Sequence, residues 1–509
     1  MSHYPFPLSP TTGISNKENA PPHVMIVGAG IAGLLLGILL DRAGIPFRIY
    51  ESGIKLQPEE GVVSLHAGIF PVFEQLGLYE NVERLSLRIA GFHIHQDDMT
   101  KIGTLVMKDG KTVLGYDHMM FCSISFHEFL ASLIPPGRIH FNKKVSSIEE
   151  NRDGVMIRCS DGTPYHGDIL VGADGGNSGV RQGLYKLLQN RESLPVVDGL
   201  PMRRGYMCMM GVTDPLDPGR FPVLDQHVSK AYQVLGRSPS PFSWCIVSVS
   251  GYRINWKVIV QLEAMSPEVE ERLMGDSRDD SVDETEYWSD RQQQQYSYPH
   301  YQQQPKRSSP GLDGNAFRID ALMKEVNGFM TPFGGTLGDL FDSTQRHEIM
   351  LTYLENKVFE TWHHGRTVLI GDACHKLLPT AGQETVASMQ DAVVLANCLY
   401  DLKSPSLNDI GDAFKDFKAE RYAHVKEIDD ISKVNAKLIY GQTFMDRFTR
   451  YMFLTCMPRS LQVKNIAKGM VYRPQAVFLP RVPHRGTGAA YVQRPSRKYQ
   501  DKQRQQQHE

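Results

Sequence analysis

Short apolar runs that lead into glycines or acidic residues recur along this chain. The first run, Val24–Val27, predicts a buried parallel strand, and residues 34–40 predict the helix that follows it. A second strand predicted over Phe47–Tyr50 ends at the acidic residue Glu51. This order of strand, glycine-rich loop, helix, strand and acid is typical of a dinucleotide-binding unit.

The glycines of this loop have separate tasks in such a unit. Gly28 permits the tight turn, Gly30 lets a pyrophosphate approach the backbone, and Gly33 lets the helix pack closely on the strand. The carboxylate of Glu51 is placed to bind an adenosine ribose. Because an acid there disfavours a 2′-phosphate, we expect FAD or NAD at this site rather than NADP.

Two further apolar runs deliver an acid in the same way. Residues 169–171 lead into G-A-D-G-G-N-S-G-V-R, which contains Asp174, and residues 367–370 lead into G-D-A-C-H, which contains Asp372. Ligands of open α/β sheets bind at the carboxyl ends of the strands. Three acids at strand ends therefore indicate one long cofactor.

The periodicity elsewhere predicts a mixture of strands and helices. It favours a loop and short helix over 61–78, antiparallel strands over 88–116 with a turn at 109–110, and a helix over 126–133. A hairpin is predicted from 138–145 and 155–159, strands over 244–250 and 256–262, an apolar helix ending near 399 and an amphipathic helix over 412–438.

Composition narrows the function. The chain is 41% hydrophobic and 22% charged, as ordinary globular proteins are, and its formal net charge of -2 gives no case for nucleic-acid binding. Its seven cysteines are single, which suits a reducing compartment and disfavours a disulfide framework or structural zinc. We expect neither a secretory signal nor a membrane span, and hence a cytoplasmic protein.

Two tempting sites carry less weight. His93 and His95 share one face of a predicted strand, but without a third ligand an exposed strand face is the simpler interpretation, so no metal is predicted. Cys374 and His375 are adjacent on a tight turn, where the side chains rarely point at each other, so we discount a nucleophile there. No general base is evident, and the catalytic residues stay unassigned.

The three motifs in this order resemble one enzyme family. G-x-G-x-x-G with Glu51, then G-A-D-G-x-x-S-x-V-R, then G-D-A-x-H-x-x-x-P-x-x-G are similar to the motifs of the FAD-dependent aromatic hydroxylase group of flavoprotein monooxygenases, and most of all to its fungal members. The resemblance covers about residues 23 to 480, including F-E-Q-L-G-L-Y-E at 73–80 and R-P-Q-A-V-F-L-P at 473–480.

The resemblance implies an α/β fold, in which a Rossmann-type FAD-binding domain is interrupted by a mixed-sheet substrate domain and followed by a helical C-terminal region. We expect the FAD-binding domain over 23–195, with substrate-domain strands near 88–116, and again over 341–400. The substrate domain is expected over 196–340 and the helical region over 401–485. Low-complexity composition predicts disordered tails over 1–22 and 486–509 and a disordered insertion over 276–311.

The resemblance also implies the cofactor contacts and the chemistry. FAD is bound, NADPH or NADH reduces it, and one atom of O2 is transferred to a lipophilic or aromatic small molecule. The cofactor-binding positions that it implies are Gly28, Gly30, Gly33, Glu51, Gly61, Asp174, Asp372, Gly382 and Thr385.

Two residues depart from the family pattern. The family places an arginine in an I-S-R pattern that contacts the cofactor, whereas this chain has Phe126, which cannot make a charge-assisted contact. The second glycine of the family's G-x-G is replaced by Glu384, which lacks the conformational freedom of glycine. If its carboxylate faced the pyrimidine edge of the flavin, it would oppose negative charge on reduction.

Three alternatives stay open. The first two concern function: a flavin oxidase or dehydrogenase on the same fold, and a non-catalytic scaffold with impaired FAD binding, which Phe126 and Glu384 motivate. The third concerns residues 444–470, which mix aromatic and basic residues. They either touch a membrane surface peripherally or, as the simpler interpretation, pack on the body with a solvated basic face.

Overall fold

The computed structural model describes residues 21–56, 61–106, 110–221, 224, 228–237, 240–274, 312–441, 443–496 and 498. The predicted insertion over 276–311 lies outside these residues, as do all but two residues of the tail predicted over 1–22. Within the tail predicted over 486–509, residues 486–496 are described. There the Gln493 side chain donates to the carbonyl of Gln475 at 2.7 Å.

The described residues form an α/β fold with two large sheets and a small one, which confirms the predicted class. The strands in chain order are β1 (Val24–Val27), β2 (Phe47–Tyr50), β3 (Val62–Leu65), β4 (Ser86–Gln96), β5 (Lys101–Val106), β6 (Met119–Cys122), β7 (Ile139–His140), β8 (Val145–Glu150), β9 (Val155–Cys159), β10 (Pro164–Gly167), β11 (Ile169–Gly172), β12 (Arg203–Val212), β13 (Val228–Leu235), β14 (Phe242–Val249), β15 (Arg253–Gln261), β16 (Met350–Val358), β17 (His363–His364), β18 (Thr367–Leu369) and β19 (His375–Lys376).

The helices frame these sheets. In chain order they are α1 (Ile31–Ala43), α2 (Phe70–Gln75), α3 (Tyr79–Arg84), α4 (Gly110–Leu114), α5 (Ser123–Ser132), α6 (Gly179–Gln189), α7 (Val196–Gly199), α8 (Pro267–Met274), α9 (Leu312–Val326), α10 (Leu337–Asp342), α11 (Glu384–Tyr400), α12 (Leu407–Tyr440), α13 (Phe444–Tyr451) and α14 (Arg459–Lys468). Among the described residues, no helix combines the length and apolar character needed to cross a bilayer.

The first sheet has the order β17-β18-β11-β1-β2-β7. All its strands run parallel except β17, which pairs antiparallel with β18. Each of β1, β2, β11 and β18 is four residues or shorter and almost wholly buried, because helices such as α1 and α6 cover the sheet. The carboxyl ends of these strands, which carry the predicted acids, therefore meet at one edge.

The second sheet has ten strands in the order β19-β16-β12-β15-β14-β13-β4-β6-β3, with β5 beside β4. Its two faces bury different residues, because side chains alternate along a strand. On one face Met207 and Met209 pack in a core that contains Trp244 and Trp256. On the other, Cys208 packs in a cluster that includes residues of α12.

Three local predictions were wrong. Residues 62–65, predicted as loop, form β3, because the four-residue run V-V-S-L is too short to show a period. The turn predicted at 109–110 instead lies between β4 and β5, where Met99 has a positive φ of 64°, and α4 begins at Gly110. Residues 139–140 pair with β2 in the first sheet rather than joining the hairpin, which β8 and β9 form.

Candidate functional site

The loop after β1 leaves an opening at one glycine and is tightly packed at the other two. Gly28 has a φ of 104°, and a Cβ there would overlap the carbonyl oxygen of Ala173. A Cβ on Gly33 would overlap the carbonyl oxygen of Gly28. A Cβ on Gly30 would meet nothing within 4 Å. The backbone of Gly30 is therefore open to a ligand.

The start of α1 is suited to an anion. Gly30 is the N-cap residue, so no side chain caps the helix, and the first turn contains no acidic residue. The first N–H groups of a helix lack intrahelical acceptors and carry the positive end of its dipole. A phosphate beside Gly30 would satisfy them.

Glu51 lies beside this loop. Its Oε2 accepts the N–H of Ala29 at 2.9 Å, and its Oε1 accepts that of Gly53 at 2.7 Å. A carboxylate has about four acceptor positions, so capacity for ribose hydroxyls is left. The sequence did not predict that Glu51 also holds the glycine loop.

Phe126 of α5 occupies the position where the family pattern has an arginine, and the next residue, His127, contacts the loop after β1. Phe126 is fully buried, with its ring centroid 5.0 Å from that of Phe121 and 6.2 Å from that of Phe73. The next residue, His127, is buried too, and its Nε2 donates to the carbonyl of Ala29 at 2.7 Å. An imidazole thus contacts the glycine loop where the family pattern has an arginine one residue earlier.

Asp174 is turned toward its own loop. Its Oδ1 accepts from the Ser178 hydroxyl at 2.5 Å, and its Oδ2 accepts the N–H of Val180 at 3.1 Å. Burial raises the pKa of this carboxyl. The second motif reaches the third through Arg181, which donates to the carbonyl of Ala373 at 3.0 Å. On this geometry, Asp174 shapes the loop, and Arg181 joins the two motifs.

Asp372 lies in a single 3₁₀ turn, Gly371–Ala373, and pairs with Lys376. The turn begins with Gly371 at a φ of 61°. The N–H of Gly371 donates to Asp391 Oδ2 of α11 at 2.9 Å. This bond fixes the position from which Asp372 faces the strand edge.

A buried ionic cluster that the sequence did not predict supports this turn. Asp391 Oδ2 also accepts from His375 Nε2 at 2.6 Å, and its Oδ1 accepts from Arg421 Nε of α12 at 2.7 Å. All three side chains are fully buried. Cys374 is next to His375 but donates to the carbonyl of Gly371 at 3.4 Å, and burial raises its pKa, so it is not a poised nucleophile.

Gly382, Glu384 and Thr385 lie at the start of α11. Gly382 has a φ of 60°, and Glu384 and Thr385 are the first two residues of the helix. Glu384 Oε2 is inaccessible to solvent and has no hydrogen-bond partner among the described residues. Burial raises the pKa of this carboxyl, against the attraction of Lys257 and Lys376. In place of the family's glycine, this chain thus has a partly buried acid whose Oε2 lacks a partner among the described residues.

Strand β3 brings a second group that the sequence did not predict. Ser64 Oγ is hydrogen-bonded to His118 Nε2, and a Cβ on Gly382 would lie 3.7 Å from Ser64 Oγ. The ring of His66 lies 5.7 Å from that of His118. Burial lowers the pKa of His118 to about 4, so it is neutral at physiological pH. Only the antiparallel pairing of β3 with β6 brings Ser64 and His118 together.

Gly61, just before β3, lies close to β12 and β15 of the second sheet. It has a φ of 123°, and a Cβ there would lie 3.8 Å from Asn255 Nδ2 and 3.9 Å from Met210 Sδ. Asn255 Oδ1 is buried without a hydrogen-bond partner among the described residues. Three buried polar atoms in this region thus lack a partner among the described residues. Asn255 Oδ1 is near Gly61, Glu384 Oε2 is at the start of α11, and His118 Nδ1 belongs to the ring that is bonded to Ser64.

These contacts connect most of the predicted positions. A Cβ on Gly371 would lie 3.5 Å from Ala32 Cβ of α1 and 3.1 Å from Ser388 of α11, so the first and third motifs adjoin. The open Gly30 backbone and the Glu51 carboxylate fit the ADP half of FAD. The Asp174 carboxylate, by contrast, is engaged within its own loop.

Several known proteins are similar to this chain in sequence. The sequence model of a family described as FAD binding domain matches residues 22–195 and 342–407. The FAD-dependent monooxygenase atmM of Aspergillus flavus is 28% identical over 483 residues, which cover 91% of this chain and 88% of that protein. The FAD-dependent monooxygenase paxM of Penicillium paxilli is 27% identical over 489 residues, covering 92% and 90%.

Solved structures share the fold. An HpxO variant of Klebsiella pneumoniae, solved with FAD, superposes with a TM-score of 0.66 at 18% identity and covers 89% of this chain and 99% of its own. A salicylate hydroxylase in complex with substrate superposes with a TM-score of 0.57 at 18% identity, covering 88% and 98%. At this identity the likeness extends to the fold alone.

Proposed function

We propose that this chain, which is similar to FAD-dependent monooxygenases, uses NADPH or NADH and O2 to hydroxylate or epoxidise a lipophilic or aromatic small molecule. The observation that carries the proposal is the junction of the open Gly30 backbone, the Gly371 turn and the start of α11 at one edge of the parallel sheet. A long cofactor can contact all three only if it lies across that edge.

The protein's own part is binding and orientation. The start of α1 holds the pyrophosphate, Glu51 holds the adenosine ribose, and Asp372 holds the ribityl chain, while α11 directs its positive end at the ring. When bound, FAD would pass two electrons from the nicotinamide to O2, of which one atom goes to the substrate and the other to water. Arg421 and Asp391 keep the Gly371 turn in register with α11.

One face of the second sheet is suited to a lipophilic substrate. Tyr206, Cys208 and Met210 alternate along β12 on the face that packs with Leu378 and with Tyr440 of α12. Met207 and Met209, which alternate with these residues, belong to the core on the opposite face of the sheet. An apolar wall with a few buried polar groups is typical of small-molecule sites.

Asn255 and Lys257 add the polar groups. They alternate on the same strand, β15, opposite Val212 and Met210 of β12. The unpaired Asn255 Oδ1 would accept a hydrogen bond from a substrate hydroxyl or N–H. We therefore expect a substrate that is mainly hydrocarbon or aromatic ring with a hydrogen-bond donor. A cytoplasmic location, in keeping with the free cysteines, belongs to the same proposal.

One observation favours the alternative of a scaffold that has lost FAD. Glu384 places an unpaired carboxyl at the start of α11, where the family has glycine. A side chain there competes with the cofactor for space unless it turns away.

The visible spectrum of the purified protein tests both functions. We expect bound FAD, bleaching on anaerobic addition of NADPH or NADH, and oxygen uptake with a lipophilic substrate. Substrate oxidation without a nicotinamide would instead indicate an oxidase. Absence of flavin after incubation with excess FAD would exclude the monooxygenase and leave the scaffold.

A further inference from the structure

Helix α13 buries a charged residue and exposes apolar ones, whereas a surface helix usually turns its apolar residues toward the core. Of its two arginines, Arg447 is exposed, whereas Arg450 is only 6% exposed and its guanidinium donates to the carbonyls of Leu438 and Gly441 at the end of α12. Its large apolar residues point outward: Phe444 is 72% exposed and Phe448 50%. The simpler interpretation of this region, a helix packed on the body with a solvated basic face, accounts for Arg447 but not for the exposed Phe444 and Phe448.

The exposed apolar residues form one stripe. Positions that are three, four, seven or eight apart lie on the same side of a helix. The residues with this spacing are Phe444, Phe448, Tyr451 and Met452, and Met445 beside them is 63% exposed. The stripe is a built feature rather than a frayed end, because a capping box of Thr443 and Asp446 starts the helix and Arg450 fastens its far end.

The surrounding sequence is strongly basic although the whole chain is not. Between residues 431 and 470 there are seven lysines and arginines and one acidic residue, in a chain of net charge -2. That acid, Asp446, is engaged in the capping box. Among the side chains that the structure describes, the exposed cations are Lys433, which pairs with Asp429, and Lys437, Arg447, Lys464 and Lys468. Helix α14 adjoins the stripe, since Gln462 donates to the carbonyl of Phe453 at 3.0 Å.

We propose that α13 lies in the surface of an anionic lipid bilayer, with its aromatic stripe among the headgroups and the neighbouring cations on the lipid phosphates and carboxylates. Aromatic and basic residues together are the signature of interfacial helices. A second copy of this chain fits less well, because a two-fold interface would set the basic surface against itself. A lipid surface satisfies both the apolar and the charged groups.

The position of α13 next to the proposed substrate face gives its contact with the bilayer a function, and this step rests on the proposed function. Tyr440, at the end of α12, belongs to the cluster on the face of the second sheet assigned to the substrate. Helix α13 begins four residues later. A lipophilic substrate dissolved in the bilayer would therefore be concentrated close to the site.

Flotation with vesicles tests the proposal on the full chain. Vesicles of phosphatidylcholine alone are compared with vesicles that also contain phosphatidylserine, at low and high salt. We expect the protein to float with the anionic vesicles, and binding to fall at least tenfold in high salt or in the double variant Phe444→Asp and Phe448→Asp. The matched control is Val196→Asp with Val197→Asp on α7, where the valines are 75% and 48% exposed.

Three results of these experiments would overturn the proposal. Equal flotation of the wild type and the α13 variant would overturn the proposal, as would equal binding to neutral and anionic vesicles. A dimer in sedimentation equilibrium that the α13 variant dissolves, without vesicle binding, would overturn it in favour of self-association. Circular dichroism checks that the variants are folded. Because no flavin or turnover is measured, failure here is distinct from failure of the monooxygenase assignment.

Discussion

Arg421 of α12 and Asp391 of α11 form a fully buried ion pair, with Nε 2.7 Å from Oδ1. The other oxygen of the carboxylate receives the N–H of Gly371 and the imidazole of His375. One carboxylate thus connects two helices with the turn that carries Asp372. Stability of the core and geometry of the cofactor site depend on the same residue.

Replacing Asp391 with asparagine should lower the free energy of unfolding by about 3–5 kcal/mol, because Arg421 would stay buried without a counter-charge. Denaturant unfolding measures the loss. The control is Asp412→Asn, which breaks the exposed pair with Lys415 on α12 and should cost less than about 1 kcal/mol. Equal losses in the two variants would contradict the role given to Asp391.

The same carboxylate should affect acid stability. Burial raises the pKa of Asp391, but His375 and Arg421 outweigh burial and bring it to about 2, below its ordinary 3.8. A depressed pKa in the folded state gives stability that is present above the ordinary value and lost as pH falls toward 2. Between about pH 5 and pH 2, the free energy of unfolding should therefore fall more with decreasing pH in the wild type than in Asp391→Asn. Denaturant unfolding at several pH values measures the difference.

The two glycines of the first loop should separate folding from cofactor binding. Gly28→Ala should destabilise the protein by at least about 2 kcal/mol, since φ is positive and the Cβ would overlap Ala173. Gly30→Ala should change stability by less than about 0.5 kcal/mol. It should nevertheless weaken FAD binding at least about tenfold, because its methyl group occupies the pyrophosphate space. Fluorescence titration of the apoprotein with FAD, beside thermal unfolding, distinguishes the two effects.

Restoring the family arginine at Phe126 should not restore a cofactor contact. The Phe126 ring is buried between Phe73 and Phe121, so Phe126→Arg places an unpaired charge in the core and should cost about 4 kcal/mol or more. Phe126→Leu, as the control, should cost roughly 1 kcal/mol. A folded Phe126→Arg protein with tighter FAD binding would show that the side chain can reach the cofactor after all.

Glu384 should govern both FAD affinity and pH dependence. Glu384→Gly should tighten FAD binding if the carboxyl obstructs the ring, and Glu384→Gln should separate size from charge. Because burial raises the pKa of Glu384, the wild type should lose stability as pH rises above the ordinary 4.5, while Glu384→Gln should not. Identical FAD affinities in all three proteins would mean that the side chain lies clear of the cofactor.

The parts of the site that follow directly from strands were predictable. Glu51 and Asp372 come after short apolar runs, and parallel strands bring such ends to one edge whatever the rest of the chain does. The structure places both there. Their role as cofactor contacts stays a prediction.

The parts that depend on pairing register and helix rotation were not predictable. Asp391 and Arg421 are 30 residues apart on different helices, and Ser64 of β3 is 54 residues from His118, which immediately precedes β6. A period along one element cannot reveal which residue of another element it will meet. Likewise, the helical phase of α5 decides that Phe126 enters the core while His127 reaches the loop.

The parallel sheet takes its strand β18 from far along the chain, beyond the whole second sheet except β19. Arg366, just before β18, donates to a carbonyl 198 residues earlier, that of Asp168. A nascent chain that stops before β18 exposes the edge of β11 and lacks Asp372, α11 and Arg421. We therefore expect the nascent chain to capture flavin only after both large sheets and the helix that carries Arg421 have been synthesised.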